Sequence, residues 1–466
     1  MQQYARIDDQ VSIASSADVF TWLSRFINLE TGQFSTSLRL DRMEVLARLA
    51  GHPERYAPVI HIAGSKGKGS VTGMITAILE AADLRSARYT SPHVTEYRER
   101  ITLGNAFLDE SVYIQAGRSL VAVEALLRNL PEYPYGASPA ADDREASFFE
   151  LLTLYFFLCA RLAACDVMVV ETGLGGRLDA TNIVDPLVSV ITLIELEHTE
   201  FLGEHITAIA GEKAGIIKPG RPLVLAEQTG EALEVFKHTA AAAQSPLYYL
   251  PDIAALRNIQ VTQTGTAFTL ESKIPELFAS PLDLTIPIPG VIQAQNAALA
   301  VAAAKLAFPS LKENAIRQGL EHFTLPARFE RILQDPTVIV DGAHTPQSVA
   351  ACVETFTALY GNGGILIFGC AAFKDAATMA RILLPHFSQM LITTPGTFKV
   401  SFPQQVYETF RTAAAVWGKE DAVSCIPETT EALEKALAQG REKGLPLLGT
   451  GSFYLAAEIR AFLMVA

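Results

Sequence analysis

One stretch constrains the fold more than any other. Residues 59–63 form an apolar run, β-branched at Val59, Ile60 and Ile62. A loop follows with glycines at 64, 67 and 69, and apolar residues then recur at 71, 74, 75, 78 and 79 with helical spacing. Strand, glycine loop and helix together predict a phosphate cradle. Glycines let backbone N–H groups turn inward, and a helix N-terminus favours negative charge. The binding candidates are Gly64, Ser65, Gly67, Lys68, Gly69 and Ser70. Lys68 would reach terminal phosphate oxygens, and the Ser70 hydroxyl would ligate Mg²⁺. The order departs from the strict phosphate-loop pattern, because Gly69 separates the lysine from the hydroxyl. Taken alone, the stretch is also compatible with a tight βα turn whose lysines are solvated.

The chain has 466 residues, 49% of them hydrophobic, which suits two domains and leaves room for a third. A formal net charge of −13, with no basic stripe, argues against a nucleic-acid binder. It suits a soluble enzyme whose anionic ligands meet a few local cations. The five cysteines are scattered among apolar neighbours without metal-ligand spacing, so reduced core thiols are expected. The first residues carry no apolar signal core. The longest apolar stretch, 148–164, is broken by Glu150 and Arg161, which is wrong for a membrane span. The expectation is a cytoplasmic monomer without membrane or nucleic-acid partners.

Further along, polar residues cluster where apolar runs end. Ser91-Pro92 leaves a short strand in an extended or turn conformation, and Ser91 either faces the phosphates or caps a turn. Residues 166–172 read as a buried strand ending on Glu171. Ligands of open α/β sheets sit at such strand ends, and buried carboxylates need partners. Glu171 is therefore a functional candidate, the alternative being neutralisation by Arg177. His198, among Glu197, Thr199 and Glu200, suits a metal or proton-transfer site, or a structural histidine. Lys213, in a helix expected over 206–217, reads by itself as a surface lysine. Residues 129–146 are rich in Pro, Gly, Ala and Asp and predict a surface loop or insertion.

Short β-branched runs at 248–249, 259–262, 267–270 and 282–286 predict a small antiparallel sheet. An alanine-rich helix over 293–306 carries Gln295 and Asn296 in its first turns. Beyond 322–327, strands and helices alternate to the end. The expected fold is α/β. An N-terminal phosphate-loop-type, mostly parallel sheet domain with a small antiparallel subsheet spans 1–325. A C-terminal Rossmann-like α/β domain spans 326–466.

An ordered series of these segments resembles the folylpolyglutamate synthase and dihydrofolate synthase family, within the ATP-dependent amide ligases that include the muramyl-peptide ligases. The series is 61–70, 90–93 with 98–101, 171–182, 197–203, 212–219, 293–299, 341–344 and 450–454. The likeness runs from about Leu40 to the end. Any one segment would be only suggestive; their joint order is not accidental.

The resemblance implies ATP-dependent addition of L-glutamate to a folate or pteroate carboxylate through an acyl phosphate. It implies that Ser70, Ser91 and Glu171 hold one Mg²⁺, and that His198, Glu171 and a carbamylated Lys213 hold a second. A monovalent cation is compatible with such a site. Lys68, His198 and Lys213 would be catalytic, and Asn296, Arg328 and Asp341 would contact the nucleotide. The pterin of dihydropteroate or a reduced folate would lie near Phe149, Glu150, Leu178, Asp179 and Ala180. His344 and Ser452 would receive the incoming glutamate.

The chain departs from the family pattern in five places. Lys66 stands for the usual Asn, Glu197 for Asp, Ile292 for His, Thr345 for Asn and Phe373 for Asp. None of these removes a metal ligand or the loop lysine, so they bear on substrate preference. A muramyl-peptide ligase usually carries a separate UDP-binding domain before the loop, whereas about sixty residues precede it here. A non-catalytic nucleotide switch would not need Glu171, His198 and Lys213 together with a full second domain.

Overall fold

The computed structural model describes residues 12–28, 39–130, 145–275, 277–396 and 400–465. The expected loop at 129–146 falls largely on 131–144, outside the described residues. The first sheet contains β1 (Val59–Ala63), β2 (Ser86–Tyr89), β3 (Ile101–Leu103), β4 (Ala106–Phe107), β5 (Val167–Glu171), β6 (Val188–Ile191), β7 (Leu223–Leu225) and β8 (Leu247–Tyr249). Its order is β4-β3-β2-β5-β1-β6-β7-β8. β1 lies between β5 and β6, parallel to both, and is buried along its whole length. A strand covered on both faces needs the continuous apolar run seen at 59–63.

The helix Lys68–Glu80 packs on one face through Val71, Met74, Ile75 and Ile78. The helix Val291–Ala307 lies against it, and its buried alanines permit close approach. The apolar helix Phe148–Leu162 covers the other face. Ser147 caps that helix in a reciprocal box with Glu150.

A second, antiparallel sheet contains β9 (Ala254–Thr262), β10 (Gly265–Ser272) and β11 (Leu282–Ile286). β11 alternates buried and exposed residues, as a one-sided sheet requires. Tyr248 and Tyr249 were expected in this sheet but belong to β8, which pairs parallel with β7 at the edge of the first sheet. Both placements satisfy the same β-branched and aromatic composition, and the parallel crossover from β7 decides between them.

The C-terminal sheet contains β12 (Glu330–Gln334), β13 (Thr337–Val340), β14 (Gly364–Phe368), β15 (Phe387–Ile392), β16 (Val423–Cys425) and β17 (Leu447–Thr450). Its order is β12-β13-β17-β14-β15-β16, with only the β12–β13 pairing antiparallel. Separate apolar clusters cover its two faces. The cysteines are unpaired, and four of the five are buried. Among the described residues, no helix is long and apolar enough to cross a membrane.

Candidate active site

The phosphate-loop candidate connects β1 to the helix Lys68–Glu80. Gly64 has φ +149°, and a Cβ there would lie 1.8 Å from Thr192 Oγ1. Gly67 has φ +88°, and a Cβ there would lie 2.6 Å from Asn296 Oδ1. Both positions therefore need glycine. Ser65 and Lys66 N–H donate to the Leu193 carbonyl at 2.9 and 3.1 Å, and Ser65 Oγ donates to the Glu195 carbonyl at 3.0 Å. Gly67 begins the helix without a side-chain cap, so first-turn N–H groups stay available to an anion. Lys68 Nζ folds back onto the Gly64 carbonyl at 2.9 Å.

Glu171 ends β5 and pairs in register with Ile62 of β1, which places it beside the loop. It is 3% exposed, and the Ser91 N–H approaches its Oε2 at 3.4 Å. Burial raises its carboxyl to about 7, opposed by the charges of Lys68, Arg328 and Arg100. A buried carboxylate with one long hydrogen bond has acceptor capacity left for a cation. Arg177 is not its partner: the guanidinium donates to Glu212 at 3.1 and 2.7 Å.

Lys213 is 2% exposed, not a surface lysine. Its Nζ donates to the Gly64 carbonyl at 2.8 Å and to Glu197 Oε1 at 3.3 Å. Burial, then the charge of Lys68, lowers its ammonium to about 8, with Glu197 opposing. Burial disfavours the Glu197 anion, yet Lys68, Lys213 and Lys66 together pull its carboxyl down to about 2. His198 adjoins Glu197 on an exposed turn, with φ +48°, and its charge adds to that pull.

On the other side of β5, Phe149 packs on Gly173, where a Cβ would come within 2.4 Å of the ring. Glu150 is held by Arg42 Nε at 2.9 Å and by the Ser147 N–H and hydroxyl at 2.7 Å. Asp179 accepts from Gly173 and Leu174 N–H at 2.9 Å through Oδ2. Its Oδ1 accepts from Thr181 N–H at 3.0 Å and Thr181 Oγ1 at 2.5 Å. Asp179 therefore staples the 173–181 loop on which Leu178 and Ala180 lie. Thr181 in turn accepts from His61 Nε2 of β1 at 2.8 Å.

Of the C-terminal residues, Asp341 and His344 follow β13, Ser452 follows β17, and Arg328 just precedes β12. Asp341 accepts from Phe329 N–H at 2.8 Å and Ala343 N–H at 2.7 Å. Arg328 lies over the Phe453 ring at 4.8 Å, and its charge acts on both Asp341 and Glu171. His344 Nδ1 donates to the Gly342 carbonyl at 2.8 Å, so its Nε2 is an acceptor. Burial, then Lys66 and Lys374, keep that imidazole neutral. Ser452 is buried and accepts from Tyr454 N–H at 3.2 Å.

The fold thus gathers Gly64 to Ser70, Ser91, Glu171, Lys213 and Asn296 around one loop, with Arg328 reaching it electrostatically. Phe149 and Asp179 meet at Gly173, two residues after Glu171, and the charge of Asp179 also acts on Lys213, while Glu150 is tied to Arg42 and Ser147. Sequence reading assigned no role to Arg100, which is fully buried, donates to His93 Nδ1 at 2.9 Å and acts on Glu171. The charge density of residues 96–100 was the available signal. Arg42 was also missed, since nothing local links it to Glu150.

The donor set suits Mg²⁺: hydroxyls and a buried carboxylate beside a phosphate cradle, with phosphates and water to complete the shell. Among the described residues no group of three or more His, Cys, Asp or Glu side chains is preassembled.

Fold and site define a Mur-type ligase. Residues 62–304 match the Mur ligase middle domain, and residues 327–453 match the Mur ligase glutamate ligase domain. The chain is 32% identical over 429 residues to the folylpolyglutamate synthase of Lacticaseibacillus casei, covering 91% of this chain and 94% of that one. It is 31% identical to the dihydrofolate synthase/folylpolyglutamate synthase of Bacillus subtilis, covering 92% and 95%. The Mycobacterium tuberculosis folylpolyglutamate synthase, solved with ADP and AMPPCP, superposes with a TM-score of 0.84 at 29% identity, covering 98% and 99%. This chain belongs to the folylpolyglutamate synthase and dihydrofolate synthase family.

Proposed function

We propose that the protein is an ATP- and Mg²⁺-dependent ligase that adds L-glutamate to the carboxylate of a pteroate or folate. Residues 1–325 bind the nucleotide and acceptor, and residues 326–466 bring the glutamate. The observation that carries the reading is buried Glu171 at the mouth of a loop that Lys213 clamps through the Gly64 carbonyl. Further support comes from the relatives, one of which is solved as a complex with AMPPCP and folate.

A carboxylate is a poor electrophile, so the γ-phosphoryl group of ATP is first transferred to it. Lys68, released from Gly64, and the first-turn N–H groups stabilise the charge on that group. Ser70, Ser91 and Glu171 would hold one Mg²⁺, and His198, Glu171 and the modified Lys213 a second. Bound Mg²⁺ supplies charge neutralisation at the phosphates. Lys213, its ammonium weakened by burial, is suited to lose a proton and take up CO₂ as a carbamate. The amino group of glutamate then attacks the acyl phosphate and phosphate leaves. Arg328 and Asp341 hold the nucleotide from the C-terminal side, so approach of the two units excludes water from the acyl phosphate.

With Asp179 saturated by its own loop, acceptor contacts fall to Phe149, Leu178 and Ala180, with Asp179 and Glu150 shaping them. The test is phosphate release with ATP and L-glutamate, offering dihydropteroate or tetrahydrofolate separately. Turnover with either supports the reading and identifies the acceptor. Turnover of a UDP-muramyl substrate with neither folate acceptor active overturns it.

A further inference from the structure

Lys66 extends from the phosphate loop, two residues before Lys68, but its side chain leads away from the loop. Its Nζ lies 3.6 Å from Glu197 Oε2 and donates to His344 Nε2 at 3.4 Å. Glu197 belongs to the N-terminal unit and His344 to the C-terminal one, so this ammonium spans the gap between them. Lys374, on the loop after β14, is close enough for its charge to act on both Lys66 and His344. Two ammonium groups and a neutral imidazole thus face one gap, with the carboxylates of Glu197 and Glu195 behind Lys66 on the N-terminal side.

We propose that Lys66 is the docking cation for a carboxylate of the incoming amino acid. The assignment rests on the ligase reading above and names a specificity residue within it. Two observations carry it. Both contacts exceed the roughly 2.7–2.9 Å of a strong charge-assisted hydrogen bond, so a carboxylate can replace them with little loss. The phosphates already have Lys68 and a helix N-terminus, whereas an anion arriving beside His344 meets Lys66 and Lys374. The acyl group is activated at the loop and the amine arrives from the C-terminal side, so Lys66 stands where the two meet.

The test compares wild type with K66M and K66R by phosphate release, with each substrate varied in turn. K66M should raise the KM for L-glutamate about tenfold or more and leave the KM for ATP within about twofold, while K66R retains most of the affinity. L-Glutamine and the α-amide of glutamate each lack one carboxylate. Wild type should discriminate against both, and K66M should lose discrimination against one, which identifies the carboxylate Lys66 meets. An unchanged KM for L-glutamate, or a rise in the KM for ATP alone, overturns the assignment while leaving the ligase reading intact. Absence of wild-type turnover with every folate acceptor overturns both. If K66M does not fold, K66Q gives the same comparison.

Discussion

Lys213 Nζ and the Gly64 carbonyl oxygen lie 2.8 Å apart, which ties the helix Ile206–Ala214 to the first residue of the phosphate loop. The lysine is thereby held at the loop, beside Glu197, before any ligand arrives.

Replacing Lys213 by alanine should lower turnover on the order of a hundredfold, since one positioned anionic group in the transition state is lost. The protein should remain folded by circular dichroism. Short carboxylic acids should restore part of the rate in a concentration-dependent way. Full activity in Lys213→Ala would remove the carbamate from the mechanism.

Glu171 links the site to stability. Its carboxyl is raised from an ordinary 4.5 to about 7, mainly by burial. Between those values the native state binds more protons than the unfolded chain, so the ligand-free protein loses stability as pH rises. Above about pH 7 the cost is on the order of 3 kcal/mol. Glu171→Gln should remove this dependence. Denaturation midpoints at about pH 5 and about pH 8 should differ less in the variant than in wild type. Turnover should fall sharply in the same variant, because the amide cannot ligate the metal as an anion.

Arg42 and Glu150 form an ion pair buried on both sides. Removing one partner strands the other charge, so Arg42→Ala should destabilise the fold by about 3–5 kcal/mol. Pairing it with Glu150→Gln should recover part of the loss. Urea unfolding of the wild type and the two variants reads the difference directly.

At Gly67 a methyl group would collide with Asn296 and would have to adopt φ +88°. Gly67→Ala should therefore shift the loop and weaken nucleotide binding by at least about tenfold, read by calorimetry with a non-hydrolysable ATP analogue. Gly220→Ala also has a positive φ but open space around it, and should leave nucleotide affinity unchanged.

Where local pattern decides structure, the sequence was readable. Residues 59–79 run from buried strand to glycine turn to helix, and the chain folds that way, although the helix is buried from Ser70 to Leu79 and not on one face alone. Glu171 was legible because a carboxylate ending an apolar run has few places to go. Lys213 was not, because its burial depends on the turn of helix that faces Gly64, a residue 149 positions away in sequence. Arg42 and Glu150, 108 positions apart, are likewise joined only by topology. Tyr248 and Tyr249 fit either sheet by composition, and the crossover from β7 placed them in the parallel one.

The contact of His61 with Thr181 has a mechanical consequence. The strand that carries His61 feeds directly into the phosphate cradle, and Thr181 secures the loop expected to face the acceptor. On the proposed reading, this one strand sets the spacing between the two reacting partners. Loop residues such as Leu178 can change with the shape of the acceptor, while the reaching distance of the phosphoryl group stays fixed. Diversification of substrate and preservation of chemistry are thus assigned to different parts of the chain.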